Sequence, residues 1–329
     1  MAKWDREYLK LCKKILDEGV EVENRTGINT IKIPSYSFEF NLQEEFPILT
    51  TKQLFFKNAI TEILWIYQVQ SNDVRWLQER KNHIWDEWMV DEDGIYRIYE
   101  PNKETFDKNK EVDLCDLDGN VILDDDKKPI KVKSNIEGKN IKSAKFYGKE
   151  YAYTIGTAYG WIVNRYKLTQ NLIDTIKTNP NDRRLVMSLW QNEFLKTAVL
   201  PSCVWSSEWD VTNGYLNLSV HQRSCDVPLG LPFNVTQYAT LLCLIAHTTG
   251  LKPGKISWSI KDAHIYVNQV DGIKEQIKRG ETLEDLKAPE LWINKDIKDF
   301  FKFDNSADLK DIKIINYNHH GKINFPLAQ

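Results

Sequence analysis

The 329-residue chain has no excess of either charge, no long apolar run and no paired cysteine spacing, and each lack removes a class of protein. Lys+Arg number 44 against Asp+Glu 47, a formal charge of -3, so no bulk basicity draws the chain to nucleic acid or a membrane surface. No apolar stretch approaches the roughly 20 residues that span a bilayer, and the opening MAKWDREYLKLCKK lacks the apolar segment of a secretory leader. A cytoplasmic location is expected. The 5 cysteines, at 12, 115, 203, 225 and 243, are odd in number and show no CxxC, which excludes a disulfide framework and a zinc knuckle. Only His319 and His320 adjoin and no HExxH occurs, so no structural metal is expected. Internal repeats are absent.

What is present reads as helices and strands mixed around one core. DREYLKLCKKILDEGV spaces Tyr8, Cys12, Ile15 and Leu16 on one helical face, with Gly19 placed to stop it. Phe55 to Gln70 is apolar on more than one side, as in a helix buried in a core. A further amphipathic helix runs through Leu168, Leu172 and Ile176 to Asn179-Pro180. NVTQYATLLCLIAHTTG reads as another core helix ending at Gly250. RLVMSLW alternates as a strand, and the two runs between Cys203 and Val220 meet at Asn213-Gly214, a hairpin signal. The segment from about 95 to 153 differs, with EPNKETFDKNKE, DLDGN and LDDDKKP rich in charge and turn residues. It is expected to be a polar surface insertion with one hairpin around Asp118-Gly119, carried by a single α+β domain over 1–329.

The hairpin raises a question about Cys203. A two-residue turn at Asn213-Gly214 pairs Thr212 with Tyr215, and counting outward sets Val204 opposite Arg223 and Cys203 opposite Ser224. A neighbouring guanidinium favours thiolate over thiol, the condition a sulfur nucleophile needs. The same alternation puts Cys203 on a face with Trp205, Trp209 and Val211, which looks like a core face. The hairpin alone leaves both readings open.

Other fragments lie in order along the chain: RTG at 25–27, FPILTTK at 46–52, HIWDEW at 83–88, AYG at 158–160 and NDRR at 181–184. QRSCD at 222–226, GLPFN at 230–234 and DAHIYVNQ at 262–269 follow. Together these resemble the thymidylate synthase family over nearly everything outside the insertion. The resemblance implies an α+β fold with a large twisted mixed sheet, flanked by helices, that packs against its twin in an obligate homodimer. It also implies the reductive methylation of dUMP to dTMP, with methylenetetrahydrofolate as one-carbon donor and reductant and dihydrofolate as by-product.

The family's roles carry over residue by residue. Cys203 matches the nucleophile that adds to C6 of uracil. Arg25, Arg183, Arg184, Arg223 and Ser224 match the phosphate cluster, with Arg183 and Arg184 reaching the partner subunit's site. Gln222 and Asn234 belong with the nucleotide, and the amide of Asn234 suits the N3-H and O4 edge of uracil; without the motif, Asn234 would read as a helix N-cap. His264 and Tyr266 match the residues that hydrogen-bond the deoxyribose 3′-hydroxyl. Glu62, a charge inside an apolar helix, matches the organiser of proton transfers, and Tyr159 matches the tyrosine that assists proton removal at C5. Asp226 matches the carboxylate gripping the pterin. Trp85 is expected to flank the folate, Lys52 to meet its glutamate tail, and Ala328 with the terminal carboxylate to lie near it.

Three places depart from the family pattern. Val204 stands where the family commonly has histidine, Trp161-Ile162-Val163 replaces glutamine-tryptophan-arginine, and the C-terminal FPLAQ ends in Gln329. Two other readings use the same residues differently. A hydroxymethylase of the same superfamily lets water rather than hydride attack the exocyclic methylene, so solvent exclusion decides between them. A catalytically retired RNA-binding protein, suggested by family members that bind their own messenger, needs a basic footprint that the net charge does not supply.

Overall fold

The computed structural model describes residues 1–100 and 106–327. The first half contains α1 (Lys3–Glu18), β1 (Val20–Val22), β2 (Thr30–Asn41), α2 (Phe56–Leu64), α3 (Arg75–Gln78), β3 (Ile95–Tyr99), β4 (Glu111–Cys115), β5 (Lys131–Lys133) and β6 (Ile141–Phe146). The second contains α4 (Gly160–Tyr166), α5 (Leu168–Thr178), β7 (Val186–Ser188), β8 (Val204–Thr212), β9 (Tyr215–Gln222), β10 (Cys225–Asp226), α6 (Gly230–Thr249), β11 (Lys252–Tyr266), α7 (Val270–Thr282), β12 (Glu290–Ile293) and β13 (Ile312–Ile315).

The main sheet has seven strands in the order β1-β2-β11-β9-β8-β7, with β10 also pairing β11. It is mixed, because β11 runs parallel to β9 and β10 and antiparallel to β2. Alternation in β9 explains its two faces: Leu216, Leu218, Val220 and Gln222 point into the core while Asn217, Ser219 and His221 stay half-exposed. Against the inner face lies α6, which is buried nearly all round, as its apolar sequence requires. Each fully buried Leu or Ile there contributes roughly 1.5–3 kcal/mol. α1 buries Tyr8, Cys12 and Ile15 of the face read from its spacing and adds Trp4, while Leu16 is half-buried.

Two expectations about element ends are corrected. α6 begins at Gly230, so Asn234 lies inside the helix and is not its N-cap. The apolar run from Phe55 is α2 continued by a π-helical stretch, Trp65–Val69, which Gln70 closes in a left-handed conformation. The hairpin turn is as read, with φ of 51° at Asn213 and 78° at Gly214, the pair of left-handed residues an Asn-Gly turn favours. Its register holds outward to Ser206↔His221 and then slips, so Val204 pairs with Gln222 rather than with Arg223. The extra residue on β8 bulges the strand and leaves Trp205 at 38% exposure, off the core face shared by Ser207 and Trp209.

The polar region is more ordered than a solvated excursion. Its strands form a second sheet, β3-β6-β4-β5, over a small cluster of Ile95, Leu114, Ile141 and Ala144. The expected turn at Asp118-Gly119 is present, with Asp116 N–H donating to Asn120 O at 2.8 Å. Chain enters on β3 and leaves on β6, which pair antiparallel with Ile95 opposite Phe146. Lys139 reaches Glu87 at 2.8 Å and Lys196 reaches Asp118 at 2.6 Å, tying this sheet to the rest. Residues 101–105 of the EPNKETFDKNKE segment lie outside the described residues. Among the described residues no helix is long and apolar enough to cross a membrane.

Candidate active site

Cys203 precedes β8 and is half-buried at the end of the main sheet. Its strand register brings Arg223 to it through the backbone, with Arg223 N–H donating to Cys203 O at 2.9 Å. The guanidinium then folds back over the same loop, donating to Pro201 O at 2.6 Å and Ser202 O at 3.1 Å, with Nη2 4.0 Å from Cys203 Sγ. Tyr159 approaches from the other side, its hydroxyl accepting from Cys203 N–H at 3.1 Å. Burial pushes the Cys203 thiol above its ordinary value; Arg223, the Tyr159 hydrogen bond and Arg25 pull it down. The expected influence of Arg223 is therefore present, but desolvation outweighs it in the free protein.

Tyr159 is held there by unusual backbone, φ 47° and ψ -110°, at the start of α4. Such a conformation costs of order 1–3 kcal/mol in a non-glycine residue. Close packing enforces it: a Cβ on Gly160 would fall 2.0 Å from Ser71 O, so only glycine lets the turn sit against that carbonyl. The altered tripeptide that follows belongs to the core, with Ile162 and Val163 buried and Trp161 edge-on to Phe194 at 4.6 Å. Val204, where the family commonly has histidine, is 3% exposed and packs as a core side chain.

A directional chain of hydrogen bonds crosses the floor of the site. Trp258 Nε1 donates to Gln222 Oε1 at 3.0 Å, Gln222 Nε2 to Asn234 Oδ1 at 3.1 Å, and Asn234 Nδ2 to Gln237 Oε1 at 3.1 Å. Gln237 Nε2 donates to Glu62 Oε2, and Trp85 Nε1 to Glu62 Oε1 at 2.8 Å. An indole can only donate and a carboxylate only accept, so these ends force the three amides into one orientation. Asn234 thereby keeps one lone pair of Oδ1 and one hydrogen of Nδ2 for a ligand. Burial raises Glu62 to about 7 against the two donors that favour its charge. Trp85 packs edge-on to Tyr159 at 5.2 Å, which closes the ring of groups around Cys203.

On the opposite side Asp226 pairs with His264 between β10 and β11. Asp226 Oδ1 accepts from Leu229 N–H at 3.1 Å and Oδ2 from Gln269 Nε2 at 3.3 Å. Burial raises its carboxyl, opposed by Leu229, His264, Gln269 and Lys52. His264 Nδ1 is 2.8 Å from Asp262 Oδ1, which leaves Nε2 for a ligand, and its ring meets Tyr266 edge-on at 5.3 Å. Asp262 also accepts from Lys32 at 2.6 Å, and hydrogen bonding from His264 first and Lys32 next lowers it to about 2. Ser224 is half-buried between β9 and β10.

Arg25 lies on an exposed turn held by Asn24, close enough for its charge to act on Cys203 and Tyr266. Arg183 and Arg184 are exposed next to edge strand β7, and Arg184 pairs with Asp182 at 2.8 Å. The structure does not bring these two into the Cys203 cluster of their own chain. Lys52 is likewise not free for a ligand's acidic tail: it is 5% exposed, donates to Pro228 O and lies 4.5 Å from the Phe325 ring, and burial lowers it to about 8. Ala328 lies outside the described residues. Gln237, Trp258 and Gln269 were missed as site residues; Gln237 carried a signal, because a polar residue three positions after Asn234 shares its face of an otherwise apolar helix. Among the described residues no three His, Cys, Asp or Glu gather as a metal site.

Comparison with known proteins is consistent across sequence and structure. The sequence profile of the thymidylate synthase family matches residues 6–329. Thymidylate synthase of Clostridium beijerinckii is 40% identical over 328 residues, and that of Leuconostoc mesenteroides 36% over 344, each alignment spanning all of both chains. The solved thermostable thymidylate synthase A from Bacillus subtilis superposes with a TM-score of 0.74 at 31% identity, covering all of both chains.

Proposed function

The chain belongs to the thymidylate synthase family of methyltransferases, which bind dUMP and a folate co-substrate, and from that premise we propose that it converts dUMP to dTMP by reductive methylation with methylenetetrahydrofolate. The observation that carries this reading is the one-way hydrogen-bond chain from Trp258 to Glu62, which presents an amide edge and a poised carboxyl beside a cysteine.

Asn234 reads uracil, its Oδ1 accepting from N3-H and its Nδ2 donating to O4. Arg25, Arg223 and Ser224 bind the phosphate, and His264 Nε2 with Tyr266 hold the 3′-hydroxyl. Cys203 Sγ then adds to C6, and the electron pair released toward C5 is stabilised at O4 by the Asn234 amide. Arg223 and the Tyr159 hydroxyl stabilise the sulfur as its proton leaves, offsetting the desolvation that holds the free thiol neutral. Glu62, raised to about 7, accepts and returns protons near neutral pH, and Tyr159 positions the group that takes the C5 proton.

The residues present fit a reduced folate. Asp226 offers a half-buried carboxylate to pterin N–H groups, and Trp85 supplies an aromatic wall against Tyr159. When bound, the folate supplies the one-carbon unit and the hydride that reduces it. Arg183 and Arg184, exposed beside the edge of the main sheet, serve the site of a second copy in a homodimer. The whole chain acts as one such domain, with the polar region of about 95–153 as an appendage.

The test combines purified protein, dUMP and methylenetetrahydrofolate, with mass analysis of the nucleotide and quantitation of dihydrofolate. Methylated nucleotide with one dihydrofolate per turnover is expected. A hydroxymethylated nucleotide without dihydrofolate would assign the water-trapping reaction instead, and absence of any product would refute both.

A further inference from the structure

Gln269 is the final residue of the DAHIYVNQ stretch and is 1% exposed. Its amide makes three contacts. Oε1 accepts from Tyr266 N–H at 3.2 Å, while Nε2 donates to Asp226 Oδ2 at 3.3 Å and to Pro326 O at 3.0 Å. With one donor and two acceptors around it, a single orientation satisfies the amide, and turning it over would break all three contacts. One side chain therefore joins a strand end, a site carboxylate and the C-terminal segment.

That segment is held in two parts. From His320 to Lys322 its carbonyls accept from the Arg279 guanidinium at 2.9–3.4 Å, and Gln53 N–H donates to Gly321 O at 2.8 Å. Farther on, the Phe325 ring fills the space a side chain at Gly272 would need, 2.5 Å from where its Cβ would fall, and covers Lys52. Pro326 is then fastened by Gln269. The first part is independent of the active site; the second ends on an amide whose other hydrogen is committed to Asp226.

We propose that Gln269 is a positioning residue that makes seating of the C-terminal tail depend on Asp226, so that tail closure and folate engagement are read by one amide. This rests on the reading of Asp226 as the pterin-binding carboxylate. Each Asp226 oxygen already accepts one donor, Leu229 N–H on Oδ1 and Gln269 Nε2 on Oδ2, so a ligand on this carboxylate shares it with Gln269 and bears on the residue that holds Pro326. A displaced Asp226 unseats the tail, and a lost tail frees Asp226.

The test uses the full chain with Gln269→Glu, which keeps an acceptor for Tyr266 N–H but removes both donations and sets a carboxylate against Asp226. Gln269→Met, similar in length, also removes the acceptor for Tyr266 N–H and so provides the trimming comparison alone if the first variant folds poorly, with KM values read from Gln269→Glu; thermal unfolding verifies folding of each. Two measurements are made: the rate at which carboxypeptidase trims the tail of the ligand-free protein, and KM for methylenetetrahydrofolate and dUMP separately. Losing these two hydrogen bonds is expected to speed trimming and raise the folate KM, each about tenfold, with the dUMP KM unchanged. Unchanged trimming in both variants would overturn the latch. Faster trimming with both KM values rising together would overturn its coupling to the folate side. Faster trimming in a protein whose wild type forms no methylated nucleotide would keep the latch and refute the proposed reaction.

Discussion

Replacing Glu62 by Gln should change stability by an amount that depends on pH. Burial raises the Glu62 carboxyl from 4.5 to about 7, and at about 1.36 kcal/mol per pKa unit this makes charging it in the folded protein cost about 3 kcal/mol. The folded state binds more protons than the unfolded state between the two values, so the benefit of the neutral form is complete below pH 4.5 and is lost as pH rises through 7. The Glu62→Gln side chain has no charge to desolvate. It would also introduce an NH₂ where the chain of amides ends on an acceptor, so Gln237, Asn234 and Gln222 must turn over in sequence and leave Trp258 Nε1 facing a donor. One stranded donor costs about 1–3 kcal/mol. A protonated Glu62 keeps lone pairs on both oxygens for Trp85 and Gln237, so wild type needs no such reversal and this cost persists at every pH.

Urea unfolding at pH 5 and pH 8, at one protein concentration, measures the outcome. Glu62→Gln should be about 1–3 kcal/mol less stable than wild type at pH 5 and should gain about 2.5 kcal/mol relative to it by pH 8. Its turnover should fall by about 10²–10⁴ across the range, because the proton carrier is gone. A stability difference that stays constant between the two pH values would refute the burial argument for Glu62, whatever happens to activity.

Trp258→Phe removes the donor-only end of the chain, so the amide of Asn234 loses its fixed orientation; KM for dUMP should rise about tenfold while that for folate stays within about twofold, measured by initial rates. Asp5→Ala strips a buried carboxylate that accepts from the backbone and hydroxyls of Thr50 and Thr51, and should cost about 3–5 kcal/mol in urea unfolding while leaving the fluorescence of any remaining folded fraction native-like. Cys203→Ala should abolish turnover and leave dUMP binding measurable by calorimetry; surviving synthesis would remove sulfur from the chemistry. Mixing inactive Cys203→Ala with inactive Arg183→Ala/Arg184→Ala subunits should restore activity in hybrid dimers that hold one intact site, and no recovery in demonstrated hybrids would refute sharing across the interface.

Local chemistry made much of this architecture legible. The apolar face of α1, the buried run of α6 with its end at Gly250 and the Asn-Gly turn follow from spacing, apolar content and dihedral preference, and the structure has a helix or turn at each. The slip at Trp205 was not legible, since an added residue in a strand leaves no mark in alternation until its partner is known. The start of α6 was misread because Asn234 is a good cap in isolation, whereas Gly230-Leu231-Pro232-Phe233 is drawn into helix by burial of Leu231 and Pro232. Charge content disguised the second sheet, whose core is only four residues. Cys203, Tyr159 and Asn234 could be named from motifs, and Gln237 from its helical spacing, but the other contacts that orient them run to Trp258 and Ser71, partners distant in sequence that composition cannot reveal.

The second sheet has a further consequence through the way it joins the chain. Its first and last strands lie side by side, Ile95 against Phe146, so the two points of attachment are neighbours about 5 Å apart. A genetic deletion between them can be closed by a short turn without moving either flank, and an expansion there lengthens the gene without touching the catalytic register. Length at this position is thus a nearly free variable for descent and for engineering, limited by the Lys139–Glu87 and Lys196–Asp118 ties that would be lost with it.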